Sequence, residues 1–247
     1  MNKNFYKYQG TGNDFILFED YEESFPINSN LISRICNRNL GIGADGILIL
    51  QKSQIADVKM RIFNQDGSEA SMCGNGLRCV IKHLEKSCTI ETKGGISESE
   101  YSKNFIKATL PKSKIIQSPI DLPNNLIGHL VNTGTPHLVI FTETPNIHLN
   151  AKELRYHPMF GSEGVNVNLA TLIPEGIRVR TFEKGIDTET LSCGSGGAAV
   201  ALLHKKNVKI FFTSLELSFS FDSKDKLWME GPAEYVFQGT LCLKNIY

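Results

Sequence analysis

The sequence lacks an excess of charge of either sign, and it lacks any long apolar run. Among its 247 residues, 26 are Lys or Arg and 26 are Asp or Glu, so the formal net charge is zero. Nucleic-acid-binding domains carry clustered basic residues, and no such cluster occurs here. No stretch approaches the roughly 18 apolar residues of a membrane-spanning helix, and the N-terminal segment lacks the apolar core of a signal peptide. We therefore expect a cytoplasmic protein that binds neither nucleic acid nor membrane.

The six cysteines lack the spacings of metal ligands and of redox motifs. None forms C-x-x-C, and no Cys/His cluster has the spacing of a zinc site, so no bound metal is predicted. Thiols of a cytoplasmic protein stay reduced, so a disulfide framework is not expected either. Four of the six are interpreted as small buried apolar side chains: Cys36, Cys79, Cys88 and Cys242.

Sequence fingerprints of common cofactors are also absent. The chain has neither a P-loop nor a dinucleotide-binding G-x-G-x-x-G, and no lysine is identifiable as a Schiff-base site for pyridoxal phosphate. The segment GIGADG (41–46) supplies one G-x-G without the further spacing, and we interpret it as a turn. The chemistry of this protein is therefore predicted to need no cofactor.

One small motif, a cysteine followed by Gly-x-Gly, occurs twice, at Cys73 and at Cys193. Three further features precede both cysteines in the same order. They are a glycine turn leading into an apolar strand (11–18 and 133–141), a strand-like alternation (58–63 and 177–182), and a glutamate four residues before the cysteine (Glu69 and Glu189). Repeated features in one order indicate an internal duplication. The two glutamates are interpreted as packing residues.

Each Cys-Gly-x-Gly leads into an apolar, proline-free segment that ends in basic residues, at 77–86 and 198–206. This pattern predicts two helices, and β-type runs follow each of them. The predicted fold class is α/β, in the α+β sense, with two pseudo-repeated halves. Each half is a mostly antiparallel sheet with one long helix against it. We place the halves at 1–115, with Cys73, and at 116–247, with Cys193, and allow the termini to cross over.

Two further local structures are predicted. The segment 28–39 has the pattern of a surface helix capped by Asn28 or Ser29. The segment 112–127 contains two prolines among polar residues, and we interpret it as a linker between the halves.

The position of the two cysteines suggests a specific chemistry. A thiol at a helix N-terminus has a pKa below its free value of about 8.5, and glycine amides there can hold a carboxylate. If the two halves face each other, two sulfurs flank one carboxylate-bearing carbon. A racemase or epimerase needs such a pair, because one group removes the α-proton and the other returns a proton to the opposite face.

Four segments carry a resemblance to a known family: GTGNDF (10–15), FNQDGSEASMCGNGLRC (63–79), GVNVNLA (164–170) and FEKGIDTETLSCGSG (182–196). With them the chain resembles the diaminopimelate epimerases along nearly its whole length. The resemblance implies two α/β domains, each with a sheet around a central helix, and an active site in the cleft between them. It also implies PLP-independent interconversion of LL- and meso-diaminopimelate, for lysine and peptidoglycan synthesis, and a possible homodimer.

The resemblance assigns roles to individual residues. It implies that Cys73 and Cys193 are the acid/base pair, and that His137 and Glu183 tune their pKa values. The residues that it implies for substrate binding are Asn13, Asn64, Gly74, Asn75, Asn166, Glu183, Lys184, Gly194 and Ser195. From the residues alone, the preferred interpretation of asparagines 13, 64 and 166 is that they are turn residues that hydrogen-bond the local backbone.

Three positions differ from the family pattern and keep alternatives open. Thr135 replaces an asparagine, Lys184 replaces an arginine, and Gly46 replaces a glutamine. Because lysine cannot form the bidentate contact of arginine with a carboxylate, a racemase of a different amino acid on the same scaffold is the first alternative. A thiol–disulfide switch formed by the two cysteines is a remote one, disfavoured by the missing C-x-x-C.

Overall fold

The computed structural model describes residues 2–110, 113–144, 151–183, 189–190, 192–213 and 215–243. These residues form two compact units. The first consists of the residues up to Ala108 together with those from Gly231 onward, and the second is Thr109–Glu230. Both units contain a mixed α+β arrangement, as predicted from the sequence.

The first unit begins with eight strands and two helices in chain order. They are β1 (Asn2–Gly10), β2 (Asn13–Glu19), α1 (Ser29–Cys36), β3 (Gly46–Gln51), β4 (Val58–Asn64), β5 (Glu69–Ala70), α2 (Gly74–Leu84), β6 (Thr89–Thr92), β7 (Gly95–Tyr101) and β8 (Ile106–Thr109). Strands β2 and β3 are parallel, as are β4 and β6, whereas the pairs β1–β2, β3–β4, β4–β5, β6–β7 and β7–β8 are antiparallel.

The second unit has a closely corresponding series of elements. They are β9 (Lys114–Leu122), β10 (Leu126–Asn132), β11 (Pro136–Phe141), α3 (Ala151–Arg155), β12 (Asn166–Ile173), β13 (Gly176–Phe182), β14 (Glu189–Thr190), α4 (Gly194–His204), β15 (Val208–Phe211), β16 (Glu216–Phe221) and β17 (Leu227–Glu230), with 3-10 turns at Pro123–Asn125 and Pro158–Phe160. Strands β11 and β12 are parallel, as are β13 and β15, and the pairs β10–β11, β12–β13, β13–β14, β15–β16 and β16–β17 are antiparallel.

The strand pairing confirms the internal duplication. Strands β1 to β8 correspond to β10 to β17 in order and direction, and α2 corresponds to α4. The last strand, β18 (Glu234–Cys242), pairs antiparallel with β1, and β9 pairs in the same way with β10. The closing strand thus completes the sheet of the first unit. The sequence prediction placed the halves at 1–115 and 116–247 and allowed the termini to cross over.

Helices α2 and α4, which directly follow Cys73 and Cys193, lie at the centres of their units. In α2, all eight residues from Gly74 to Ile81 are buried, and in α4 all of the first eight except Ser195 are buried. Eight residues exceed two turns, so protein covers every face of the helix, as expected for a helix enclosed by its sheet. Both helices begin earlier than predicted, because Gly-x-Gly forms their first turn.

The other two local predictions had different outcomes. Helix α1 confirms the predicted helix, with Asn28 as its cap: Asn28 Oδ1 accepts a hydrogen bond of 2.8 Å from the backbone N–H of Leu31. The linker prediction was wrong, because most of the segment forms β9 and the start of β10. Pro119 is accommodated in β9 because the pairing with β10 shifts its register between Gly128 and Leu130.

Candidate active-site residues

Cys73 and Cys193 occupy the same local position, the residue directly before α2 and α4. Both have extended backbones, with φ −146° and −135°, and both carbonyl groups accept the first helical hydrogen bond, over 2.9 Å. This confirms the prediction that each cysteine stands at a helix N-terminus. The unpaired amides and the dipole of the helix stabilise a negative charge there.

In the first unit, three of the predicted site residues lie together: Asn13, Cys73 and Asn75. Asn13 Oδ1 accepts a hydrogen bond from Asn75 Nδ2 over 3.3 Å and lies 3.8 Å from Cys73 Sγ. On the other side, Asn13 Nδ2 donates to Asp45 Oδ2 over 2.8 Å. Because a carboxylate only accepts, Asp45 fixes the orientation of the Asn13 amide and directs its oxygen toward Cys73.

A buried cation supports this cluster, and sequence reasoning missed it. The side chain of Arg78 is fully buried in α2, and its Nη2 donates to Asn75 Oδ1 over 2.8 Å and to Thr11 Oγ1 over 3.0 Å. Burial lowers the pKa of Arg78 to about 10, which leaves the guanidinium charged at neutral pH. Its positive charge lies about one helical turn from Cys73, and a nearby positive charge favours the thiolate form of a cysteine. A single arginine inside the apolar run LRCVI was the signal for it.

Asn64 and Gly46 lie near each other but outside this cluster. They face each other across β3 and β4, and Asn64 Nδ2 donates to Ser68 Oγ over 3.0 Å in the following turn. A Cβ atom added at Gly46 would lie 2.6 Å from the carbonyl oxygen of Phe63, a distance that requires the backbone to shift. Gly46 is therefore required by the packing of this strand.

In the second unit, hydrogen-bonding groups of Gly196 and Ser195 and the carboxylate of Glu183 act on Cys193. Its Sγ accepts from the backbone N–H of Gly196 over 3.3 Å and lies 3.4 Å from Ser195 Oγ. Burial is the largest influence and raises the pKa of the Cys193 thiol, and the charge of Glu183 raises it further, whereas the two hydrogen bonds lower it. The prediction of a lowered pKa is thus wrong for Cys193, because desolvation outweighs the helix N-terminus.

One hydroxyl group, that of Ser195, lies between His137 and the Cys193 sulfur. Its Nε2 is 3.0 Å from Ser195 Oγ and 3.1 Å from Thr135 Oγ1, and Asn166 Nδ2 donates to Thr135 over 3.4 Å. Burial lowers the pKa of His137 to about 3, so its imidazole is neutral. The structure therefore groups His137, Ser195 and Asn166, while Lys184 lies outside the described residues.

The repeated glutamates hold the strands that precede each cysteine. Glu69 pairs with Arg61 over 2.7 Å, and Glu189 pairs with Arg180 over 2.9 Å. Each arginine also lies over the ring of the phenylalanine two residues later in its strand, at 5.0 and 5.7 Å. The same bracing motif in both units agrees with a packing role for the two glutamates.

Some kinds of site are not found in the part of the chain that the structure describes. No helix there combines the length and the apolar character needed to cross a membrane. Its His, Cys, Asp and Glu side chains do not gather in groups of three that could hold a metal ion.

Comparison with solved structures defines the class of fold. A phenazine biosynthesis protein of the PhzF family from Bacillus anthracis superposes with a TM-score of 0.70, at 17% identity, over 98% of this chain and 99% of that one. A probable proline racemase from Agrobacterium radiobacter K84 gives 0.69, at 13% identity, over 98% of this chain and 93% of that one. The chain thus has the duplicated α+β fold of these proteins.

The sequence comparisons identify the family within that class. Residues 5–111 match the family model described as diaminopimelate epimerase. A diaminopimelate epimerase from Methanocella arvoryzae is 37% identical over 271 aligned positions, which cover 96% of this chain and 96% of that protein. The chain belongs to the diaminopimelate epimerase family, and it is an isomerase. This confirms the resemblance stated from the motifs.

Proposed function

We propose that this protein interconverts LL- and meso-2,6-diaminopimelate by moving a proton at one α-carbon, without pyridoxal phosphate. The supporting observation, in a chain that belongs to this family, is that the two cysteines correspond to each other. Cys73 and Cys193 occupy equivalent positions of two duplicated units, each at the N-terminus of a buried helix.

The proposed reaction uses the two sulfurs in opposite roles. One thiolate removes the α-proton, and the electron pair of the broken C–H bond passes into the adjacent carboxylate as enolate-like charge. The other thiol donates its proton to the opposite face of the carbon, and the roles are exchanged in the reverse direction. The backbone amides of Gly74, Asn75, Gly194 and Ser195 are proposed to hold this carboxylate and stabilise its developing charge.

The remaining residues are proposed to bind the substrate and to tune the two thiols. Asn13 acts beside Cys73, where its oxygen is fixed by Asp45. Glu183 raises the pKa of Cys193, and His137 acts on the same sulfur through Ser195. The other residues proposed for substrate binding are Asn64, Asn166 and Lys184.

Three broader properties belong to this proposal. We propose that the protein works in the cytoplasm, as expected from its composition, and that it assembles as a homodimer, as the family resemblance implies. We also propose that its small-molecule partner is the amino-acid substrate diaminopimelate. Proton transfer between two thiols and a carbon requires no electron acceptor, so the proposed reaction is complete without a cofactor.

A second candidate function is racemisation of a different amino acid on the same scaffold. The packing around Gly46 favours this second function, because even a Cβ atom at that position would require the backbone to shift. The amide that the family resemblance implies at this position is therefore missing, and the resemblance implies Asn and Arg where this chain has Thr135 and Lys184. These differences affect substrate choice and leave the two cysteines unchanged.

Solvent exchange at the α-carbon distinguishes these functions. The protein is incubated in deuterium oxide with LL-diaminopimelate and, separately, with a panel of single amino acids, and α-deuteration is followed by NMR. We expect exchange and epimerisation of diaminopimelate. Exchange with another amino acid alone would replace this proposal by the racemase. Redox cycling of the two cysteines without any exchange would indicate the thiol–disulfide switch instead.

A further inference from the structure

The orientation of the Asn168 side-chain amide is determined by its surroundings. Asn168 is fully buried in β12, and its Nδ2 lies 3.3 Å from the carbonyl oxygen of Leu138 and 3.4 Å from that of Asn166. Backbone carbonyls only accept, so the atom facing both of them is the NH₂ group. The Oδ1 atom on the other side accepts from Thr181 Oγ1 over 3.0 Å.

This orientation determines which nitrogen of His137 carries the proton. Asn168 Nδ2 also lies 3.0 Å from His137 Nδ1, and because the amide donates, Nδ1 must be the acceptor. The neutral imidazole has one N–H, which is therefore on Nε2, and this N–H faces Ser195 Oγ at 3.0 Å and Thr135 Oγ1 at 3.1 Å. A hydroxyl oxygen that accepts from Nε2 can direct its own proton toward Cys193 Sγ, 3.4 Å away.

The first unit shows that the fold does not require this polar network. The strand registers place Leu48 and Ile62 where the second unit has Asn168 and Thr181. The neighbouring helix packs closely on both pairs: a Cβ added at Gly76 would lie 3.0 Å from Leu48, and one at Gly196 would lie 2.2 Å from Asn168 Oδ1. An apolar pair therefore supports α2, and a polar pair at the same place supports α4.

We propose that Asn168 is a positioning residue that holds His137 in its Nε2–H tautomer, so that Ser195 donates a hydrogen bond to the Cys193 sulfur and stabilises its thiolate. The catalytic meaning of this inference rests on the proposed function, but the tautomer and the thiol reactivity do not. Among the described residues, the ionisable groups that act on this sulfur are Glu183, directly after β13, and His137, from β11 through Ser195. Asn168 thus opposes the effect of Glu183.

The tautomer is tested directly by 15N NMR of the full chain labelled at its histidines. The His137 signals are assigned by their loss in His137→Asn. In the unsubstituted protein at neutral pH, we expect a protonated Nε2 and an unprotonated Nδ1 for His137. Asn168→Leu introduces the residue that the first unit carries at this place, and we expect it to shift the proton toward Nδ1. Thr181→Val, the matched control, leaves the amide in place and should leave the tautomer unchanged.

Thiol reactivity supplies a second readout. The rate of Cys193 alkylation by iodoacetamide is measured against pH, with the modified cysteine identified by mass spectrometry. One lost hydrogen bond to the thiolate should lower the rate at neutral pH by roughly tenfold in Asn168→Leu and shift its rise to higher pH. Thr181→Val should retain the profile of the unsubstituted protein.

Two results would overturn the proposal. One is a His137 proton on Nδ1 in the unsubstituted protein, a measurement that needs no variant to fold. The other is an Asn168→Leu protein with unchanged His137 tautomer and unchanged Cys193 alkylation. Neither readout uses a substrate, so a failure of the proposed epimerase function would leave both measurements interpretable.

Discussion

Arg78 donates a hydrogen bond from Nη2 to Oδ1 of Asn75 over 2.8 Å, from a side chain that is completely buried. The same guanidinium group donates from Nε to the carbonyl oxygen of Pro232 over 3.1 Å. Arg78 therefore links the first turn of α2, directly after Cys73, to the segment that leads into β18. A residue inside the helix thus holds the proposed carboxylate-binding turn in place.

Replacing Arg78 should damage both stability and activity. In Arg78→Met, Asn75 and Thr11 lose their buried donor, and we expect the free energy of unfolding to fall by about 3 kcal/mol. Epimerisation should fall more than the folded fraction does, because the turn after Cys73 is no longer held. Urea unfolding and diaminopimelate turnover measure the two effects. Arg34→Met, an exposed helical arginine, is the control. Equal behaviour of the two variants would contradict this role.

Each proposed acid/base cysteine should be indispensable. Cys73→Ala and Cys193→Ala should each abolish epimerisation, since one face of the α-carbon loses its proton carrier. The corresponding serine variants should fold and react far more slowly, because a hydroxyl group is a much weaker base than a thiolate. Cys242→Ala, which removes a half-buried thiol of β18, should retain activity. Near-normal turnover in either active-site alanine variant would refute the two-base mechanism.

Buried thiols should make the fold sensitive to alkali. Burial raises the pKa of Cys36 from 9.0 to about 12. The folded state therefore keeps a proton that the unfolded state releases, so this contribution to stability is complete below pH 9.0 and is lost between there and about 12. In that window, Cys36→Ala should lose stability less steeply than the unsubstituted protein, by roughly 1.4 kcal/mol per pH unit. Urea unfolding at several pH values tests this, and equal slopes would be the contrary result.

Oxidation should inactivate the protein reversibly. If the two thiols act on one carbon as proposed, they come within reach of each other, and an oxidant that removes two electrons and both protons can join them in a disulfide. We expect activity to fall in air and to return with a reductant, together with a peptide that links Cys73 to Cys193 in mass spectra. The variant Cys242→Ala should respond like the unsubstituted protein. Activity that is insensitive to oxidant and to reductant would count against the proposed proximity.

The sequence predicted those features that depend on local pattern. The duplication, the helices after the cysteines and the Asn28 cap are encoded in short segments, where turn residues, periodicity and capping act over a few positions. The linker prediction failed because Pro119, a residue type that usually breaks a strand, is tolerated where the β9–β10 register shifts, and Pro123 lies in the 3-10 turn between the two strands.

The supporting network was not predictable from the sequence, because it depends on register between strands. Asn168 reads as an ordinary strand residue until its pairing with Thr181 and its contact with His137 are known. Arg78 could be noticed in an apolar run, and Asn75 is its neighbour in the same helix, but its contact with Thr11 depends on the packing of α2 on the β1–β2 turn. Desolvation of Cys193 likewise depends on tertiary packing, and so the direction of its pKa shift was missed.

The most direct test of the two-sulfur claim follows solvent deuterium during the first turnovers. LL-diaminopimelate is mixed with the protein in deuterium oxide, and both isomers are analysed by mass spectrometry before equilibrium. We expect deuterium at the α-carbon of the meso product while the remaining LL isomer is unlabelled, because the incoming proton comes from a second, solvent-equilibrated thiol. Equal labelling of both isomers from the earliest times would mean that a single base serves both faces, and would contradict the two-sulfur claim.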